Sequence, residues 1–184
     1  MQGNVVRGKI HWWELKWAVP RLLGGIEAGV LGGLAMLALL VSGSLWRGDP
    51  WWMPSNLLGS TFYGTRALIA GPSRATLAGS ALHVFLTGSV GAAFGLLCDG
   101  IRPRRRLVLL GMLAGLIWHG LADAVLWRRI NPLIPLYSAQ PATIFSHALF
   151  GAGLGYLRSH LGARLGRKIP AAPSTAPGDW DGVE

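Results

Sequence analysis

The sequence predicts an all-α integral membrane protein with four transmembrane helices, arranged as two tandem repeated hairpins with both chain ends on the cytoplasmic side. Three observations carry that prediction. The 184 residues are 51% hydrophobic and only 14% charged, against about 25% charged in an ordinary soluble domain, and the mean hydropathy is +0.40. Lys and Arg are distributed unevenly among the segments that separate the apolar stretches. Short motifs also recur at fixed offsets along the chain.

A soluble fold of this length could not hide so many apolar side chains without exposing large patches. The bilayer is the better solvent. A single cysteine, Cys98, excludes a disulfide framework and a cysteine-based zinc or iron–sulfur site within this chain. The formal net charge of +9 would suggest nucleic acid in a soluble protein. In a membrane protein basic residues first report topology, and no nucleic-acid partner is expected.

A transmembrane helix needs about 20 mostly apolar residues. Four windows qualify, about Leu22–Trp46, Ala75–Cys98, Leu107–Trp127 and Pro141–Leu161. The last is the least apolar, with Arg158 and His160 near its end, where long basic side chains snorkel to the interface. Residues 1–21 form a cytoplasmic arm, too long and too aromatic for a signal-peptide start, so the first window is expected to remain as an uncleaved span. Within the arm, His11–Val19 (HWWELKWAV) reads as an interfacial amphipathic helix, with aromatics for the boundary and Lys for anionic headgroups. Residues 22–161 form the membrane domain, with one repeat over about 22–98 and the second over about 107–161. The connection Ser55–Gly71 is half apolar and reads as an interfacial or re-entrant helix. Residues 162–184 turn Pro/Ala-rich and end acidic, as a flexible cytoplasmic tail does.

Orientation follows from the basic residues. Arg7, Lys9, Lys16 and Arg21, then Arg102, Arg104, Arg105 and Arg106, then Arg158, Arg164, Arg167 and Lys168 put twelve on one side. Arg47, Arg66, Arg74, Arg128 and Arg129 put five on the other. The richer side is cytoplasmic, in a multi-pass protein whose expected location is a bacterial inner membrane. Trp12, Trp13 and Trp17 fall at the inner boundary, and Trp46, Trp51, Trp52 and Trp127 at the outer one.

Self-comparison gives the most specific pattern. Leu45-Trp46-Arg47, followed by Pro50 and Pro54, recurs as Leu126-Trp127-Arg128, followed by Pro132 and Pro135. Gly29 and Gly33 match Gly111 and Gly115 at an offset of 82, while His83 and Gly91 match His147 and Gly155 at an offset of 64. Two hairpins of the same orientation imply a pseudo-two-fold axis along the membrane normal. Every span carries small residues four apart: Gly29/Gly33, Gly91/Gly95, Gly111/Gly115 and Gly151/Gly155. Helices in lipid associate where such residues let backbones approach. These pairs either build a compact bundle or face outward to dock other membrane helices.

Ionisable groups inside spans are functional candidates by default. Glu27, His83, His119, Asp123 and His147 qualify. With a rise of about 1.5 Å per residue, the three histidines fall at one level in the outer half of the bilayer. Asp123 follows His119 at a spacing that lets a carboxylate meet an imidazole. One reading has His83, His119 and His147 binding a haem, a chlorophyll-type pigment or a metal, with Asp123 as a metal ligand or as the acceptor that orients His119. The plainer reading has each histidine donating a hydrogen bond to a neighbouring helix. No phosphate loop, nucleophile elbow, zinc-protease motif or dinucleotide fingerprint occurs, so catalysis is not expected.

Three functions follow. The first is a non-catalytic accessory or assembly subunit of a larger respiratory or photosynthetic membrane complex, with other integral-membrane subunits and anionic cytoplasmic-face lipids as partners. The second is a cofactor-carrying subunit for electron transport or light capture. The third is a small oligomeric transporter or channel.

Overall fold

The computed structural model describes residues 12–98, 101 and 103–168, and of residues 12–17 and 161–168 only the backbone. The described chain is helical throughout, with no strand. Helix α1 spans Trp12–Trp46, α2 Met53–Tyr63, α3 Arg66–Ile69 and α4 Arg74–Leu97. Helix α5, Arg104–Leu121, passes into a π-helical turn, Ala122–Trp127, and then α6, Arg128–Ile130. Helix α7 spans Leu133–Tyr137, and α8 spans Gln140–Lys168.

Three helices are long and apolar enough to cross a membrane: Ala18–Trp46, Arg74–Leu97 and the continuous segment Arg104–Ile130. The fourth expected window lies in α8, which is not among them. Thr143, Ser146, His147 and Arg158 dilute its hydropathy. They do not shorten it: 29 residues at 1.5 Å per residue reach about 43 Å.

The expected amphipathic arm is not separated from the first span. Helix α1 continues from Trp12 through Pro20 to Trp46 without a break, so the described part of the arm forms its first turns. His11 and residues 1–10 lie outside the described residues, as do 169–184 of the expected tail.

Helices α1 and α4 form one antiparallel pair, and α5 and α8 form a second. Helix α1 also packs against α8, while α4 and α5 scarcely meet. Glycine sets both pair crossings. A Cβ at Gly29 would overlap the Thr87 carbonyl oxygen and press on Gly91, and one at Gly91 would overlap the Gly25 carbonyl oxygen. In the second pair a Cβ at Gly111 would overlap the Gly151 carbonyl oxygen and press on Gly155, and one at Gly155 would overlap the Leu107 carbonyl oxygen. Gly33 meets the Thr87 side chain, Gly95 the Arg21 carbonyl, Gly115 the His147 carbonyl and Gly151 the Gly111 carbonyl. All eight of the paired glycines therefore lie at helix crossings inside the two pairs.

The core at the level of these crossings gathers Ala28, Met36, Phe94, Leu107, Phe150 and Leu154. Phe150 fills the space beside Gly32 where α1 and α8 cross. A second cluster, Leu57, Ala122, Trp127 and Ile134, joins α2, the π turn and α7 at the opposite end, here called the upper end.

Helix α2 packs its backbone against the first turns of α4: a Cβ at Gly79 would overlap the Ser55 carbonyl oxygen, and one at Gly59 that of Ala75. Asn56, fully buried, ties the connection together. Its Nδ2 donates to the carbonyl oxygens of Ala67 and Gly71, both at 2.8 Å, and its Oδ1 accepts from Thr76 at 2.6 Å. Thr76 Oγ1 also accepts from the backbone N–H of Ser73, in a capping box that starts α4.

Two aromatic expectations divide. Trp46 is 92% exposed, as a belt residue should be, but Trp127 is 9% exposed and belongs to the upper cluster. The π turn that ends at Trp127 carries its indole inward, over Leu57 and Ile134.

Candidate functional site

A cavity of about 150 Å³ lies between the two helix pairs at the upper end. Helices α1, α4, α5 and α8 wall it, the π turn enters from one side, and α2 and α7 contribute Pro54, Leu57 and Ile134. Met36, Thr87 and Phe150 mark its lower end. His83, His119, His147 and Asp123 all line it. The residues singled out by depth in the sequence thus converge on one space, because antiparallel pairing brings positions 83 and 147 to the same end of the bundle.

The three imidazoles are held differently. His83 is buried and its Nε2–H donates across to the Gly33 carbonyl oxygen of α1 at 2.8 Å. His147 donates from Nδ1–H to its own helix, at the Thr143 carbonyl oxygen, 2.8 Å away. Its ring lies against that of His119, with centroids 4.7 Å apart and planes tilted by 43°. A carbonyl oxygen cannot donate, so each of these two bonds fixes a tautomer. In the neutral ring, His83 Nδ1 and His147 Nε2 remain acceptors.

Asp123 does not complete the expected pairing with His119. The π turn begins at Ala122, and its wider winding takes Asp123 out of the i, i+4 relation that an α-helix would have given. Its Oδ1 accepts instead from Gln140 Nε2 at the start of α8, at 3.3 Å. Such single π turns inside α-helices occur often at functional sites. Among the described residues, no group of three His, Cys, Asp or Glu side chains stands close enough to hold a metal ion. Glu27 is elsewhere, exposed on α1 and outside the cavity lining.

Three of the hydroxyls that line the cavity share one arrangement. Thr87 donates to the His83 carbonyl oxygen, Thr143 to that of Ala139 and Ser146 to that of Ala142, at 3.0, 2.7 and 2.7 Å. Arg47, at the upper rim, donates to Asp49 at 3.1 Å and to Ser44 at 3.4 Å.

Reasoning from the sequence missed the polar latch above the cavity. Asn131 is buried, and its Nδ2 donates to Ser60 Oγ at 2.7 Å and to Thr61 Oγ1 at 3.1 Å. It joins the second helix pair's connection to α2 of the first. The available signal was an Asn between Ile130 and Pro132, at the start of the apolar stretch that follows Arg128 and Arg129.

No protein-family model, curated protein or solved structure matches this chain.

Proposed function

We propose that the chain is a four-span membrane protein of two duplicated hairpins that binds and passes a small polar solute through the cavity between them. The observation that carries this reading is the cavity itself, lined by His83, His119, His147 and Asp123. Ionisable side chains inside a membrane bundle are costly to keep and mark solute or ion pathways. Sites at the interface of structural repeats, beside irregular helix, are a recurrent transporter arrangement.

Duplication is supported by the glycine crossings. Gly29 meets Thr87 and Gly91, and Gly111 meets Gly151 and Gly155, pairs of contacts related by the offsets 82 and 64. A fourth span is supported by the length of α8 and its packing along α5, with its polar residues turned to the cavity. On this reading the upper end faces outward and Arg104 faces a bacterial cytoplasm, as the basic residues indicate. Cysteines at Asp49 and Arg129 should label from outside and one at Arg104 only from within. Arg129 is a better reporter than the buried Asn131.

The cavity size favours a small solute over a haem or chlorophyll-type macrocycle. Pockets for drug-sized ligands begin near about 300 Å³, twice the volume found here. Stopped-flow uptake of small solutes by proteoliposomes tests the reading. Ser146→Phe, which places a ring in the cavity, should abolish any uptake the native chain supports. Equal rates with and without that plug would overturn it.

The accessory-subunit reading keeps one supporting observation. Glu27 is exposed on the outer surface of α1 within the apolar segment Ala18–Trp46, where a carboxylate calls for a polar or cationic partner. The eight glycines lend it no weight, since they are used inside the pairs. Stoichiometric recovery with a second membrane subunit, lost on Glu27→Ala, would favour it; an unchanged composition in the variant would remove it.

A further inference from the structure

We infer that the cavity selects small cationic hydrogen-bond donors, of the ammonium and primary alkylammonium class, over anions and over cations that lack N–H groups. The inference rests on the solute-binding reading above and names its substrate class. It follows from where the protons on the lining already point.

His83 and His147 each commit one N–H to a carbonyl oxygen, so the second ring nitrogen of each neutral imidazole can only accept. Thr87, Thr143 and Ser146 commit their hydroxyl protons to carbonyls of their own helices and present lone pairs. Asp123 is the one carboxylate on the lining, and the hydrogen bond it accepts from Gln140 leaves further acceptor positions. The one fixed cation on the lining, Arg47, donates from Nε to Asp49 and from one terminal nitrogen to Ser44 at the rim. Among the lining side chains whose hydrogen bonds are defined, acceptors therefore predominate, and Asp123 adds a negative charge to the lining. An anion placed there would find donors chiefly on Trp118, His119, Tyr137 and the rim Arg47, and would meet a carboxylate. A cation without N–H groups would leave the imidazole lone pairs unanswered, and buried polar groups left unpaired are costly.

Size agrees. A cavity of about 150 Å³ is well above the roughly 10–15 Å³ that one water needs by the same measure, room for ammonium or methylammonium with accompanying water.

The test uses the full chain in lipid nanodiscs and radiolabelled methylammonium at neutral pH. Saturable binding is expected, displaced by ammonium and not by tetramethylammonium or acetate. Asp123→Asn should weaken it at least tenfold, since Asn still accepts from Gln140 but carries no charge. Thr143→Val should weaken it severalfold, and Arg104→Gln, remote from the cavity, should leave it unchanged. Both cavity variants are checked by thermal unfolding, so that loss of binding is separated from loss of fold. If acetate binds, or tetramethylammonium competes as well as ammonium, the donor-cation inference fails while the solute-binding reading stands. If neither methylammonium, acetate nor urea binds, both fail. Full affinity in a folded Asp123→Asn variant also overturns the inference.

Discussion

The two helix pairs use one crossing and finish it differently. In α1/α4 and in α5/α8, glycine lets backbone touch backbone at corresponding positions. Above the crossing they part. The first pair inserts α2, eleven residues long, and anchors it through Asn56. The second substitutes a π turn and the five-residue α7, which draw Trp127 inward while Trp46, its sequence counterpart, stays exposed. His83 bonds across its pair to Gly33, whereas His147 bonds within its own helix and lies against His119. The crossing is structural and tolerates little change. The departures from symmetry are what shape the cavity, so its chemistry is expected to reside chiefly in the second pair.

The largest effect should come from breaking a crossing. Gly91→Leu and Gly151→Leu each drive a side chain into a facing backbone that cannot move aside. Overpacking of this kind costs about 3 kcal/mol or more when backbone must shift. Both variants should lose the cooperative thermal transition in detergent, and to a similar extent. Gly153→Leu, whose Cβ meets nothing within 4 Å, should melt like the native chain. If one crossing tolerates leucine and the other does not, the two pairs are not equivalent at their foundations.

Next comes the tryptophan contrast. Trp127→Ala empties a place in the cluster with Leu57, Ala122 and Ile134 and should cost about 3 kcal/mol, the lower end for a buried Trp. Trp46→Ala removes a side chain that is 92% exposed and should leave the melting temperature unchanged. Equal losses would mean that Trp46 is covered in the membrane by something other than lipid.

That contrast also shows how far the sequence could be read. The apolar helices and the glycine pairs were legible because length and small-residue spacing are local properties. The level of the three histidines was legible from rise per residue alone. Trp127 was not: nothing in Ala-Asp-Ala-Val-Leu-Trp announces a π turn, which arises where α5 must meet α2 and α7. The same turn undid the inferred pairing of Asp123 with His119. Asn56 was hidden for another reason. In Ser-Asn-Leu-Leu-Gly-Ser it is one polar residue at the start of a segment read as an interfacial or re-entrant helix, and only the return of Ala67, Gly71 and Thr76 around it makes it a buried keystone. The sequence marked Pro141–Leu161 as the least apolar window, but average hydropathy cannot say that Thr143, Ser146 and His147 of α8 all line one cavity.

The asparagines should differ in degree. Asn56→Ala leaves two carbonyl oxygens and the Thr76 hydroxyl without their partner, at about 2 kcal/mol for the loss of buried satisfaction. Asn131→Ala gives up its bonds to Ser60 and Thr61 and the one its Oδ1 accepts from the Leu133 N–H, but Ser60 still donates to the Leu57 carbonyl oxygen, and the change should cost about 1 kcal/mol. Thermal unfolding orders the two. A reversed order would make the join between the pairs, and not the α2 anchor, the weak point of the upper end.

The smallest effect separates the two histidines, and it bears most directly on the comparison. Interhelical hydrogen bonds in membrane bundles average about 0.6 kcal/mol and reach about 1.7 kcal/mol. His83 makes such a bond, buried and directed at the Gly33 carbonyl of another helix, so His83→Ala should lower stability by about 1 kcal/mol. His147 bonds to Thr143 one turn away on the same helix, and that carbonyl already has its helical partner, since α8 continues unbroken through His147. His147→Ala should therefore leave the thermal midpoint within error of native, while removing an imidazole acceptor from the cavity and the ring that faces His119. Solute binding should respond in the opposite sense to stability: weakened more by His147→Ala than by His83→Ala. Measuring both quantities on both variants gives four numbers. If stability and binding fall together in each variant, the two histidines do the same work and the asymmetry of the second pair carries no function.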